Sequence, residues 1–220
     1  MAALAMANST PIFGKYPGWV EGSGKVGIQV QLFEDYLCSD CLAFNPVWEE
    51  VLATEWLDGT VKDQITVGIT PVPLGYHDHS YQVAQLVPYF IELCDTGVTC
   101  LSNEYKDFTF ENQEDILNMT NVSLHEFTAW WSKEVATKFG LDEADVASCF
   151  SSNDPYNTDS NLRELYKYAT AKGVNGTPMA FVNGAKLDSM PTTKAGWMRL
   201  LKSVHHSQFG TSTVDQYLQN

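Results

Sequence analysis

Cys38-Ser39-Asp40-Cys41 is the stretch that decides the fold of this chain, because it joins two apolar segments, residues 26–33 and 42–56. Residues 26–33 alternate in the manner of a strand, and residues 42–56 have the spacing of a helix. Two cysteines with this spacing at a strand-to-helix junction predict a redox site, since both sulfurs can meet across one helical turn. The first cysteine would lie where free backbone N–H groups and the helix dipole favour a thiolate. We therefore expect Cys38 to be the nucleophile and Cys41 to be the cysteine that resolves a mixed disulfide.

The composition indicates a folded, acidic chain. Its 220 residues are 44% hydrophobic and 12% aromatic, which is enough to bury a core as one domain or as one domain with a large insertion. The formal net charge is −14, from 13 Lys and Arg against 27 Asp and Glu. Nucleic acid and anionic membrane surfaces would repel such a chain, so we expect neither as a partner. No apolar run approaches the ~20 residues that cross a bilayer, and we expect no membrane span.

Strand and helix patterns lie on both sides of a long central segment. A second apolar strand is predicted at residues 65–69, and the strand–helix–strand order predicts two parallel strands with a right-handed crossover. A helix is predicted at residues 81–93. Strand character returns at residues 179–182, Asn183-Gly184 is a strong hairpin signal, and the last predicted helix spans residues 193–204.

The central segment, from residue 102 to residue 171, has helical patterns and no strand pattern. One helix should begin at a capping box at Ser123 and continue to Phe139. The other helical patterns span residues 113–118, 142–150 and 159–171. We therefore divide the chain into an irregular N-terminal arm (residues 1–25), a sheet-containing domain (residues 26–101 and 172–220) and a helical insertion (residues 102–171).

The order of these elements resembles the thioredoxin superfamily, and specifically its DsbA-like branch, in which an α-helical domain interrupts the thioredoxin fold. Pro46 lies five residues after Cys41, at the position of the proline in the active-site helix of this family. Pro178 follows Gly176-Thr177, which matches the loop that lies against the disulfide. The resemblance extends over about residues 26–201. Three further stretches are similar to DsbA-like proteins of plants and other eukaryotes: residues 73–77, 110–113 and 167–184.

This resemblance implies an α/β thioredoxin fold with an inserted all-helical domain. It implies a thiol–disulfide oxidoreductase that acts on cysteine-containing proteins or peptides and needs no bound cofactor. The Thr177–Pro178 peptide bond should be cis, and Thr177 and Pro178 should present backbone groups to an extended substrate strand. Two other functions fit the same fold. One is a redox-quiet binding or chaperone-like module, and the other is a glutathione-linked isomerase or transferase that binds glutathione near Thr177 and Pro178.

The residues around the two cysteines depart from the bacterial oxidants of this branch. Ser39-Asp40 stands where those proteins have Pro-His, and Glu34 and Asp35 lie just upstream. Because nearby carboxylates oppose a thiolate by like-charge repulsion, we expect a less depressed pKa at Cys38 and a weaker oxidant. Leu32 occupies the position of the family's buried acid, six residues before Cys38. Proton transfer to or from Cys41 would then need water or another group.

Zinc is an alternative reason for the spacing of Cys38 and Cys41, because structural zinc sites use four ligands of this kind. The sequence has no second CxxC motif, although His77 and His79 could complete a set of four. The missing second motif favours the redox interpretation, and we expect no metal site.

The three remaining cysteines leave several pairings open. At most two of Cys94, Cys100 and Cys149 can be bridged within the chain. Cys94 and Cys100 bracket a short turn that could close as a loop, and a bridge from Cys149 to either of them is equally allowed. Three buried thiols are a further alternative, since free cysteine is among the most buried residue types.

Sequons for N-glycosylation favour the secretory pathway. They lie at Asn8, Asn118, Asn121 and Asn175. Residues 1–7 are apolar, but they are shorter than the apolar core of a signal peptide and carry no basic residue. From the sequons and the cysteines we expect a glycoprotein of the secretory pathway lumen or a secreted protein.

Overall fold

The computed structural model describes residues 10–209. The predicted sequon at Asn8, the apolar residues 1–7 and the last residues of the predicted sheet-containing domain, 210–220, lie outside the described residues. The elements in chain order are β1 (Trp19–Glu21), β2 (Gln29–Glu34), α1 (Ser39–Leu52), β3 (Glu55–Trp56), β4 (Gly59–Thr60), α2 (Val61–Gln64), β5 (Thr66–Pro71), α3 (Ser80–Gln85), α4 (Val87–Asp95), α5 (Ser102–Glu111), α6 (Gln113–Leu117), α7 (Leu124–Phe139), α8 (Glu143–Ser148), α9 (Thr158–Ala171), β6 (Met179–Val182), β7 (Ala185–Lys186) and α10 (Lys194–Phe209).

Five strands form the central sheet, in the order β1-β5-β2-β6-β7. β2 and β5 are parallel and α1 lies between them in the chain, which confirms the predicted parallel pair. β6 is antiparallel to β2 and turns into β7 through Asn183 and Gly184, whose φ angles of 49° and 81° suit a two-residue hairpin. Met179 lies opposite Phe33, so the chain just before β6 lies beside the end of β2.

The first strand corrects the prediction of an irregular arm over residues 1–25. Trp19–Glu21 pairs antiparallel with β5. The strand forms because Gly18 and Gly22, at φ 126° and 85°, turn the chain into and out of the pairing. The buried Trp19 side chain also donates a hydrogen bond from Nε1 to Asn103 Oδ1 at 2.9 Å. Three residues are too few to show the alternation of a strand in a sequence.

Residues 102–171 form helices α5 to α9. Four of them lie close to their predicted positions, and Ser123 and Glu126 form the predicted capping box. α5 has no counterpart in the sequence prediction. Its buried residues include Lys106 and Thr109 beside aromatic ones, so no apolar stripe is visible in the sequence.

The helix predicted at residues 81–93 is divided into α3 and α4, which meet at Leu86. Pro88 lies in the first turn of α4, where a missing backbone N–H is tolerated. A single helix through this position would bring the proline ring against the carbonyl of Ala84, so the helix breaks.

The sheet has a hydrophobic cluster on each face. Because neighbouring residues of a strand point to opposite faces, Leu32 joins the main core and Phe33 joins a smaller cluster with Phe181. In the main core α1 packs on α10 through Trp48 and Trp197, whose ring centroids are 4.8 Å apart. This contact holds the helix that begins at the CxxC motif. Within residues 10–209, no helix has both the length and the apolar character to cross a membrane.

We expect Gly18→Ala to lower the free energy of unfolding by about 3 kcal/mol or more, because a Cβ there would overlap the carbonyl oxygen of Ile69. Gly27→Ala is the matched control, since Gly27 also has a positive φ, of 67°, but has no atom within 4 Å of its Cβ position. That variant should lose only about 1 kcal/mol. Urea unfolding measures both losses, and equal values would contradict a collision with β5.

Candidate active site

Cys38 is the N-cap residue of α1, at the point where the chain leaves the sheet. Its backbone N–H donates to Asp35 O at 3.1 Å, and its carbonyl accepts from Leu42 N–H at 3.0 Å. Cys38 therefore ends one tight turn and begins the helix. It is 6% exposed, whereas Ser39 and Asp40 are exposed, so the sulfur is recessed behind the first turn of α1.

The loop before β6 reaches this cysteine. Cys38 Sγ lies 3.4 Å from Thr177 O, and the Thr177–Pro178 peptide bond is cis. Thr177 Oγ1 is buried and has no hydrogen-bond partner among residues 10–209. The CxxC motif and the Gly176-Thr177-Pro178 loop, far apart in the sequence, therefore share one site.

The two cysteines have opposite pKa shifts. The Cys41 thiol donates a hydrogen bond to Cys38, and this bond lowers the pKa of Cys38 to about 5 against the opposing effect of partial burial. Thr177 and the backbone N–H groups of Cys41 and Asp40 lower the Cys38 pKa further. Burial raises the pKa of Cys41 well above its ordinary value, as does its role as donor to Cys38. The arrangement thus pairs a thiolate with a protonated thiol.

The rate of Cys38 alkylation should rise with a midpoint near pH 5 in the reduced protein, because the thiolate is the reactive form. Iodoacetamide labelling at a series of pH values, read by mass spectrometry, gives this profile, and Cys38→Ser shows what the other thiols contribute. A midpoint near about 8.5, the value of a free cysteine, would contradict the stabilised thiolate.

Asp35 and Asp40 have contacts that the sequence did not predict, and their effect on the Cys38 thiolate stays a prediction. Asp35 is buried and accepts hydrogen bonds from Leu37 N–H at 3.0 Å and, on its other oxygen, from Leu74 N–H at 2.9 Å. Further bonds join Asp35 to Ser80 Oγ at 2.5 Å and to His77 Nδ1 at 2.7 Å. Its carboxylate therefore joins the active-site turn to the 74–80 loop. Asp40 acts on Cys38 through its backbone N–H, and its exposed side chain, like that of Ser39, lies in the first turn of α1.

A buried acid does lie near Cys41, although Leu32 replaces the expected one. Glu34 is 1% exposed, and its Oε2 has no hydrogen-bond partner in the described part of the chain. Burial raises the pKa of Glu34 to about 7, and the positive charge of Lys106 partly offsets this effect. The charge of Glu34 in turn raises the pKa of Cys41. The only sequence signal was an acid at the end of an apolar strand, and nothing in the sequence indicated that Lys106 is buried.

Glu34→Gln should stabilise the protein at high pH. The folded-state pKa of Glu34 lies above its unfolded value, so the stability linked to the protonated carboxyl is present in acid and is lost as the pH rises through about 7. The variant should gain about 1–3 kcal/mol in the free energy of unfolding at pH 8 and little at about pH 4. Glu55→Gln, at an exposed glutamate of β3, is the control for urea unfolding at both pH values. A gain that is equal at both pH values would exclude titration of Glu34 as its cause.

Cys94 and Cys100 form a disulfide, so the first of the open pairings is the one in the structure. Cys149 is a buried free thiol. The two histidines considered as zinc ligands have other contacts: His77 binds Asp35, and His79 Nε2 lies 3.0 Å from Met119 O. Across residues 10–209, no three His, Cys, Asp or Glu side chains come together as a set that could hold a metal ion.

No family model matches this sequence, and no curated protein matches it. Solved structures of other proteins do superpose on this chain. DsbA of Chlamydia trachomatis superposes with a TM-score of 0.63 at 17% identity, over 91% of this chain and 97% of that chain. MdbA, a thiol–disulfide oxidoreductase from Actinomyces oris, gives 0.60 at 18% identity, over 85% and 88% of the two chains. The thiol–disulfide exchange protein α-DsbA2 of Wolbachia pipientis gives 0.54 at 15% identity, over 88% and 87%.

The chain has the DsbA-like fold. The predicted thioredoxin fold with a helical insertion is therefore confirmed. At these identities the likeness shows the fold. The eukaryotic branch of the resemblance stays a prediction.

Proposed function

We propose that this DsbA-like chain is a thiol–disulfide oxidoreductase that acts on cysteine-containing proteins or peptides through Cys38 and Cys41. The observation that carries the proposal is the lowered pKa of Cys38 beside a protonated Cys41 at the start of a helix. Perturbed pKa values of this kind cluster at functional sites. MdbA, which shares the fold, is a thiol–disulfide oxidoreductase, and this supports the same class of activity.

The exchange runs through a mixed disulfide. In the oxidising direction a substrate thiolate attacks Cys38 Sγ of the Cys38–Cys41 disulfide, and Cys41 leaves as a thiolate that takes up a proton. A second substrate thiolate attacks the substrate sulfur of the mixed disulfide and releases the Cys38 thiolate. The substrate loses two electrons and gains a disulfide, and the protein gains two electrons and becomes a dithiol. The same steps in reverse reduce a substrate disulfide.

The stabilised thiolate favours the oxidising direction. Lowering the pKa of Cys38 stabilises the reduced form of the pair, and a stable reduced form makes the disulfide form a stronger oxidant. From the lowered Cys38 pKa we propose a reduction potential above that of thioredoxin, which is about −270 mV. The expectation of an oxidant weaker than the bacterial proteins stays a prediction. The contacts around Cys38 therefore support donation of disulfides to substrates.

Glu34 can exchange a proton with Cys41, which the apolar side chain of Leu32 cannot do. When Cys41 leaves as a thiolate in the oxidising direction, the protonated carboxyl of Glu34 is a source for the proton, and in the reducing direction the carboxylate is a base for the Cys41 thiol. A pKa of about 7 suits both tasks near neutral pH. The charge of Lys106 keeps the pKa of this acid below the value that burial alone would give.

Thr177 and Pro178 would bind the backbone of an extended substrate next to Cys38.

For the compartment we propose the secretory lumen or the cell exterior. The sequon asparagines Asn118, Asn121 and Asn175 are exposed, which leaves them open to glycosylation. The Cys94–Cys100 disulfide supports an oxidising environment.

Oxidative refolding of a reduced, disulfide-containing protein should depend on Cys38. Wild type should accelerate refolding in a glutathione buffer, and Cys38→Ser should abolish the acceleration. With a disulfide-bonded substrate, Cys41→Ser should accumulate a covalent complex that runs as one band without reductant, because in the reducing direction Cys41 no longer attacks the mixed disulfide. Cys149→Ala, which removes the remaining free thiol, should keep the activity. Equal rates for wild type and Cys38→Ser would favour the redox-quiet binding module instead.

A further inference from the structure

The helical region reaches the active-site turn through one side chain. Gln113 is the first residue of α6, is 4% exposed, and donates from Nε2 to Tyr36 O at 2.9 Å and to Cys38 O at 3.2 Å. Both acceptors belong to the turn that ends β2 and begins α1. A residue more than seventy positions away in the sequence therefore binds the backbone of the nucleophile.

The break between α5 and α6 aims this side chain. Asn112 separates the two helices and closes the end of α5 by donating from Nδ2 to Phe108 O at 2.7 Å. Phe110, on the preceding turn, packs edge-on against the ring of Tyr36 with centroids 5.8 Å apart. The aromatic contact and the Gln113 amide thus fix the same turn.

The two carbonyls need this donor for different reasons. Cys38 O already accepts the first helical hydrogen bond from Leu42 N–H, and Gln113 is its second donor. Tyr36 O has no donor other than Gln113 within residues 10–209. Losing the amide would leave a buried carbonyl without a partner, which favours a rearrangement of the turn.

We propose that Gln113 is a positioning residue that holds the Cys38 turn in the geometry in which Cys38 Sγ lies at the first turn of α1 and against the Thr177 carbonyl. The inference rests on the proposed redox function and adds to it that the helical insertion sets the reactivity of the nucleophile. A buried amide that only satisfies backbone carbonyls would affect the free energy of unfolding and leave the reactivity of the Cys38 thiol unchanged. A positioning residue would change both.

The chain contains a matched control for this distinction. Gln85 is also a buried glutamine, 8% exposed, and its Nε2 also donates to the carbonyl of a cysteine, Cys149 O, at 2.7 Å. Replacing either glutamine by methionine keeps the length of the side chain and removes the donor. Only the replacement of Gln113 concerns the active-site turn.

The test compares Gln113→Met with Gln85→Met by iodoacetamide labelling of Cys38 across pH and by urea unfolding. We expect both variants to lose stability, but only Gln113→Met to move the Cys38 labelling midpoint upward, with at least about a threefold lower labelling rate at pH 5. Gln113→Glu, which places a carboxylate next to the turn carbonyls, should move the midpoint at least as far. Unchanged Cys38 labelling in both Gln113 variants would overturn the proposal.

The outcome separates this inference from the proposed function. If wild type fails to catalyse disulfide exchange but Gln113→Met still shifts the labelling profile, the oxidoreductase proposal fails and the positioning role stands. If wild type is active and Gln113→Met has the wild-type profile and the wild-type rate of refolding catalysis, the positioning role fails and the oxidoreductase proposal stands.

Discussion

The hydrogen bond from the Cys41 thiol to the Cys38 sulfur is the interaction on which the site depends. It requires a helix that starts immediately after Cys38, so that Cys41 lies one turn further along the same face. This bond is the largest cause of the lowered pKa of Cys38, and it adds to burial in raising the pKa of Cys41. The packing of Trp48 on Trp197 and the hydrogen bonds of Asp35 secure the two ends of the segment that makes the bond.

The helical insertion takes part in the chemistry of the site. Lys106 comes from α5 and Glu34 from β2, and each is 1% exposed, so a charge from the insertion compensates a charge of the sheet in the interior. Gln113, the first residue of α6, donates a hydrogen bond to the carbonyl of Cys38. Two neighbouring segments of the insertion therefore reach the candidate site, one through charge and one through a hydrogen bond to the backbone.

Local patterns predicted what local forces determine. The CxxC motif, the Asn183-Gly184 turn and the Ser123 capping box each depend on a few adjacent residues, and each is found where the sequence placed it. The parts that were missed depend on distant contacts. Glu34 is a buried acid that feels the charge of Lys106, a residue of α5 that is distant in the sequence. The hydrogen bonds that join Asp35 to the 74–80 loop are of this kind, because those residues lie about forty positions away in the sequence.

The short strand β1 has a consequence for how the protein meets other chains. Without it, β5, whose residues are almost entirely buried, would be the open margin of the sheet. β1 covers this margin for three residues and ends at glycine on both sides, and the other margin, β7, is two exposed residues long and ends in Lys186. Open margins recruit strands from other chains and start aggregation. In the proposed role this chain would meet unfolded, cysteine-bearing proteins, and its short sheet margins would limit strand pairing with them.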